Sequence, residues 1–480
     1  MFRTVFPILC AVILVVSGCK EDGIITDPPG PPAPAEGFPE AVGSIMAAKC
    51  VDCHGAASPA AGLRLDTWDE MIKGSDFGEA VIPFDVNNSY LMEMVTKLVP
   101  ISHPAEVLAA MTDGVVHEDD TLQAAEVDTL ASWIRDGARN SAGVVPYEGS
   151  DHRVIACAQT GEVVSIIDAE AMVVIRNISI EDLGFAPGSK PHHAAAAPDK
   201  QSFYVSLIGG NKVLKFDSSY NMIAESPDIA IPALLAVNPV SNELYVSRFM
   251  DFTNVLQSVF SLDRTTMTAA PGEIPVLYDI PHSIAVSHSG DYAFTASLSE
   301  SQLMVINTQT SSADYFLSLG SGKGPLQIAV SPNDQELYIS CQISNQMMIV
   351  DISDPTNPVL EDSIAVAAMP WHPVFSPDGT RLYVGNNGAD AVTVINTMTR
   401  TIETTITGNG LAQPHGIAIS DPEPYLFVSS RNVNGSYTPR HDFGTNANSG
   451  TVVVINTTNN EIVKVLEIED FGSGLAYWGP

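Results

Sequence analysis

Cys50, Cys53 and His54 are the residues best placed to do chemistry. They form one C-x-x-C-H, Cys50-Val51-Asp52-Cys53-His54, which reads as a covalent haem c attachment site. Two thiols at this spacing can form thioethers to both vinyl groups of one haem. The following imidazole is placed to ligate the iron. A zinc site would need a second ligand pair. A thioredoxin-like dithiol would follow a strand. A disulfide across two residues would be strained. The sequence offers neither the pair nor the strand.

A second set of candidates is His192, His193, His282, His372 and His415. These are five of the eleven histidines, and each stands one or two residues after a proline. Imidazoles gathered at one place could hold copper or iron. Alternatively, Pro-His is a repeat feature whose rings bond to neighbouring backbone carbonyls.

The elements around the first motif are helical. Phe38, Val42, Ile45 and Met46 have helical spacing ahead of Cys50. Further helical patterns cover residues 67–73 and 88–98. The clearest covers 121–139, with Leu122, Val127, Leu130, Trp133 and Ile134 on one side. Asp119, Asp120 and Thr121 are expected to cap it. Helix, C-x-x-C-H, loop and helices, with Gly62-Leu63-Arg64-Leu65-Asp66 and a closing Trp133-Ile134-Arg135-Asp136-Gly137-Ala138, resemble class I cytochrome c domains of multidomain secreted bacterial proteins. The resemblance spans residues 38–140. It implies a distal methionine ligand between the second and last helices. Met111 matches best, although Thr112 stands where the family has proline, and His103 is the chief rival. Met92, Met94 and His117 are weaker, and core packing accounts for the two methionines.

Residues 151–480 repeat. Pro191, Pro232, Pro281, Pro325, Pro370 and Pro414 open successive units at spacings of 41, 49, 44, 45 and 44. Four short strands per unit is the size of a propeller blade. The third strand recurs seven times, at 163–168, 213–217, 259–263, 303–307, 347–351, 392–396 and 452–456, each ending in Asp or Asn. Seven blades follow. The first copy lacks an innermost strand, and Gly474 to Trp478 is a candidate for it, so one blade is expected to draw on both chain ends and leave no free sheet edge. Tyr204-Val205-Ser206, Tyr245-Val246-Ser247, Tyr383-Val384-Gly385-Asn386 and Ser376-Pro377-Asp378-Gly379 resemble the YVTN-repeat β-propeller family. That resemblance implies the fold and leaves the function open.

The innermost strands of such a ring line its channel, so the five histidines belong at one mouth. A His-lined channel beside a cytochrome domain looks broadly like nitrous oxide reductases or propeller-type nitrite reductases. No cysteine-rich motif for a second copper centre accompanies it, so the activity does not carry over. One long loop, 431–450, with Arg440, His441 and Asp442, interrupts the sixth blade; long loops on rigid scaffolds are disproportionately functional. Cys157 and Cys341 occupy equivalent second-strand positions, too far apart around the ring to pair, and are expected to be inert buried thiols.

The chain begins with Arg3, an apolar run from Val5 to Val16, and Val16-Ser17-Gly18-Cys19. The run is too short to span a bilayer. It resembles the bacterial lipoprotein signal, which makes residues 1–18 a leader and Cys19 the acylated residue. A Pro-rich linker, 19–37, would hold the folded part off the membrane. Lys20 favours the outer membrane over retention at the inner one. Haem c attachment outside the cytoplasm agrees with this address. A formal net charge of −34 disfavours nucleic acid and suits a basic redox partner. With 16% charged and 45% hydrophobic residues the chain is globular.

Overall fold

The computed structural model describes residues 32–57, 59–96, 122–249, 257–440 and 448–479. Helices fill the first part of this range: α1 (Glu40–Lys49), α2 (Val51–His54), α3 (Trp68–Met71), α4 (Tyr90–Thr96) and α5 (Ala124–Arg135). Pro39 ends the preceding extended chain, and its fixed φ suits a helix entry. Thr67 caps α3, accepting the Glu70 amide at 3.2 Å. The cap of α5 is a correction. Asp119, Asp120 and Thr121 lie outside the described residues, and α5 begins after Gln123, whose own amide donates to Glu126 Oε2 at 2.7 Å in a reciprocal capping box. Phe38, Met46, Trp68, Leu130, Trp133 and Ile134 share one buried core, with Phe38 edge-on to Trp133 at 5.8 Å.

The rest is seven four-stranded antiparallel sheets. Six are consecutive in sequence. The seventh is ordered Gly472–Trp478, Arg153–Ala158, Val163–Asp168, Val173–Ser179, so it joins both chain ends as expected. All seven third strands lie where the repeat put them. Their terminal Asp or Asn works as the repeat implied: Asp168 Oδ1 accepts the amides of Glu170 and Ala171 at 3.1 and 2.7 Å, closing the turn into the next strand. Cys157 and Cys341 are free and buried, and burial raises both thiols, Cys341 to about 12. Among the described residues no helix is long and apolar enough to cross a membrane.

One local feature of the propeller was not legible in its strand pattern. The residue before each repeat proline, and before Gly472 in the closing blade, is left-handed: Lys190, Ile231, Ile280, Gly324, Met369, Gln413 and Phe471 have φ between 49° and 67°. Most of these innermost strands then carry a register shift in their first few residues, as at Pro191/His193, Pro232/Leu235, Pro370/Pro373 and Pro414/Ile417. Such a bulge adds a residue and re-aims the side chains beside it.

The helical part docks on the flank of the sixth and closing blades. Glu79 Oε2 accepts the Val174 amide at 3.1 Å, Asp85 Oδ2 accepts Asn177 Nδ2 at 2.9 Å, and Arg176 lies over the Phe84 ring at 4.1 Å. Ile82 is buried in the propeller's own apolar cluster. Arg440, on the long loop of the sixth blade, lies 5.2 Å from the centre of Phe77 and pairs with buried Glu467 at 3.0 Å. Glu469 is buried beside this contact. Burial first, and then Asp470 and Asp85, push its carboxyl up to about 7 from 4.5. The folded chain therefore binds this proton more tightly than the unfolded one. Stability should fall as pH rises from 4.5 to 7, with the full penalty present above 7. Glu469→Gln is accordingly expected to stabilise the protein by about 2 kcal/mol at pH 8 and by far less at pH 5, read from urea unfolding at both. Equal effects at the two pH values would contradict this.

Candidate functional sites

Cys50, Cys53 and His54 are displayed by one short turn. Cys50 closes α1 and opens α2, and its carbonyl accepts the amides of Cys53 and His54 at 3.2 and 2.9 Å. Both thiols are free; Cys53 is exposed, while Cys50 is half-buried against the helical core. Burial pushes the Cys50 thiol up to about 11, with Cys53 adding to the effect. His54 Nδ1 lies 3.3 Å from the Leu63 carbonyl. A carbonyl can only accept, so the proton sits on Nδ1 and the lone pair on Nε2, the form an iron ligand needs. The Leu65 amide returns to the His54 carbonyl at 2.7 Å, tying Gly62–Asp66 to the motif. Two thiols, an oriented imidazole and an apolar wall on one side fit a covalently held haem.

The candidate distal ligands Met111 and His103, with His117, lie outside the described residues, as do Cys19, the leader and most of the Pro-rich linker. Met92 is buried in the helical core and Met94 half-buried, in keeping with packing.

The five propeller histidines do come together. His192 and His415 have ring centroids 5.3 Å apart, His372 and His415 5.6 Å, and His193 and His372 5.7 Å, all near perpendicular. His282 packs against Phe249 at 5.3 Å. All five are buried, with exposures of 5 to 9%. Desolvation pulls every one below its ordinary value, His192 and His372 to about 3 and His282 to about 4. His193 and His415 are also lowered, with further depression from each other's neighbours. All five are thus neutral at neutral pH.

Their hydrogen bonds separate them. His282 Nδ1 donates to the Leu326 carbonyl of the next blade at 3.0 Å, as a repeat-feature reading expects, and its lone pair is on Nε2. His193 Nδ1 instead accepts the Leu235 amide at 3.2 Å, which places its proton on Nε2 and makes that nitrogen a donor. His192 Nδ1 meets Gln159 Oε1 at 2.7 Å. His192 Nε2 and His415 Nδ1 are buried with no hydrogen-bond partner. Among the described residues, one trio of metal-type ligands has its donor atoms within 4.8 Å of one another, and it is His152, Glu170 and Glu423, at the far end of the closing blade.

Sequence reasoning missed three residues at this mouth. Trp371 packs on His415 at 4.8 Å and is fixed by Gln342, its Nε1 donating to Oε1 at 3.1 Å. Arg431 lies 4.2 Å from the Phe471 ring centre and 5.3 Å from that of Trp371. Trp371 stood within Pro370-Trp371-His372 and Arg431 opened the long loop, but nothing local placed them together. Phe471 is the counterpart, in the closing blade, of the residue before each repeat proline, a match that only the joined chain ends reveal. His441 and Asp442 lie outside the described residues.

Residues 50–102 match the family model described as Planctomycete cytochrome C, and residues 337–366 match the LVIVD repeat. In three dimensions the chain is similar to a functionally unknown protein from Desulfotomaculum acetoxidans DSM 771, at 17% identity and a TM-score of 0.54, covering 68% of this chain and 99% of that one. It is also similar to the periplasmic gluconolactonase PpgL of Pseudomonas aeruginosa, at 16% identity and a TM-score of 0.53, again covering 68% and 99%. At these identities the likeness shows the propeller fold alone. No curated protein matches. The chain carries a small helical domain with a cytochrome c match, followed by a seven-bladed β-propeller.

Proposed function

We propose that the protein is an extracytoplasmic monohaem c-type cytochrome that passes single electrons, its helical domain of the class I type, with the propeller as a docking and binding module. One observation carries this reading: two free thiols and a Nδ1-protonated imidazole stand on a single turn against an apolar core. A haem held there supplies one-electron exchange at iron. Cys50 and Cys53 anchor it, His54 is the proximal ligand, and Leu63 holds the imidazole in orientation. Met111 is the proposed distal ligand, with His103 the alternative. Cys19 is the proposed lipid anchor, on an outer membrane at its periplasmic or external face. The excess of 56 acidic over 22 basic residues suits a basic redox partner.

A second reading rests on the mouth. The unpartnered nitrogens of His192 and His415 support a copper or second iron bound there by these two imidazoles, with the haem as relay for a redox enzyme. The orientation of His193 speaks against its serving as a ligand through Nε2. Elemental analysis of the soluble chain, made in a haem c-competent host without Cys19, tests both. Iron at one per chain and no other transition metal supports the carrier. Additional stoichiometric copper or iron supports the enzyme. Absence of covalently retained iron overturns both.

A further inference from the structure

Arg431 is the odd charge at the propeller axis. The chain has far more acids than bases, and two other buried cations are paired: Arg248 with Glu273 at 2.7 Å, and Arg440 with Glu467 at 3.0 Å; Arg176, which also has unpartnered nitrogens, sits over Phe84 at the seam with the helical part and not among the channel histidines. Arg431 has no carboxylate partner among the described residues, and its Nε is buried without a hydrogen bond. Burial depresses its pKa. A half-buried guanidinium without an anion is costly, and structures normally compensate it. Among the described residues its support is two rings, Phe471 and Trp371, with centres 4.2 and 5.3 Å from the guanidinium carbon. Stacking uses the guanidinium face and leaves its in-plane N–H donors for an acceptor.

Two more unpartnered atoms lie in the same mouth, His192 Nε2 and His415 Nδ1. Arg431 is close enough to depress the pKa of both rings. Neither needs to gain a proton to become a donor. His415 has no bond fixing its tautomer at Nδ1. The Gln159 amide, if turned over, donates to His192 Nδ1 and moves the ring proton to Nε2. Three buried polar atoms without a hydrogen bond, on side chains gathered around Trp371 and Phe471, are groups that a small polar ligand would satisfy.

We propose that the propeller mouth binds a small planar oxyanion of the carboxylate class, clamped by Arg431, with His192 and His415 as N–H donors. A planar fork suits two coplanar oxygens, which chloride cannot offer. This site needs neither haem nor metal, and a metal held by the same His192 and His415 nitrogens would compete with the anion, which is why the test removes metal first.

The test uses the mature chain after chelator treatment, titrated with sodium formate and with sodium acetate in a calorimeter at fixed ionic strength, and with sodium chloride as control. Saturable binding of one formate per chain is expected. Arg431→Gln should weaken it at least about 10-fold, and Arg431→Lys by about 3- to 10-fold, because an ammonium keeps the charge and loses the fork. His192→Ala, which leaves Arg431 in place, should weaken it by about 5-fold. Circular dichroism melts of each variant verify folding, and any one folded variant suffices to decide. No heat from either carboxylate with the folded wild type overturns the proposal. So does an affinity unchanged in Arg431→Gln, or chloride binding as well as formate. Metal content is read separately, so its absence does not bear on this result.

Discussion

Replacing Cys50 and Cys53 by alanine together is expected to abolish covalently retained haem. The wild type should keep its visible absorbance after denaturation and acidified-acetone extraction, and the double variant should lose all of it. The reason is geometric. Both thiols are free and sit on one turn, and among the described residues the other two cysteines are buried in distant propeller strands. Among the described residues no second pair can take over. The single variants are expected to retain one thioether and some colour. Cys50 is half-buried and is held next to the core, whereas Cys53 is exposed, so loss of Cys50 should disturb packing more. The propeller should be untouched, because its blades close on themselves. Haem that survives extraction in the double variant would show that the motif is not the attachment point.

Deleting residues 471–480 is expected to prevent formation of a soluble monomer. This strand is the innermost of the closing blade, paired from Arg153↔Trp478 to Ala158↔Gly472. It also laces its neighbours: Ser473 Oγ donates to the carbonyls of Cys157 and Pro191 at 3.2 and 3.4 Å, and Ser429 Oγ donates to the Ser473 carbonyl. Leu475 and Trp478 are buried in two different clusters, Trp478 packing on Phe203 at 5.2 Å under Arg153 at 4.8 Å. Trp478 alone is worth about 3–5 kcal/mol by the usual cost of emptying an aromatic site. A whole domain has only about 5–15 kcal/mol to lose. The deletion also bares the edge of Arg153–Ala158, an apolar strand ready to pair with another chain. Size-exclusion chromatography and a thermal melt check this. A monomer with a cooperative transition would mean that six blades and the docked helical domain hold the ring without its closure.

The pH response of Glu469 belongs with this picture. It reports the seam between the domains, whereas the deletion reports the seam between the chain ends.

What the sequence determined by itself was local. C-x-x-C-H is a contiguous chemical instruction, and its turn and helix depend on neighbours within a few residues. The blade count follows because each strand is short and ends in an Asp or Asn whose side chain closes its own turn. Even the joined chain ends could be read, since a repeat lacking one strand must find it elsewhere. The gathering of the five histidines could be read too, because the repeat places equivalent residues at equivalent heights on the ring. Tertiary structure decided the rest. The left-handed residue at the start of each unit, and the bulge that follows in most of them, set how the imidazoles point. Burial makes all five neutral, which no spacing encodes. His193 and His282 take opposite tautomers because one meets an amide and the other a carbonyl from an adjacent blade. Arg431 reaches Phe471 and Trp371 from different blades, and Glu79, Phe84 and Asp85 find the propeller flank across about one hundred residues of chain. Charge state, tautomer and convergence all depend on what surrounds a group in space, and a linear pattern carries only what lies beside it along the chain.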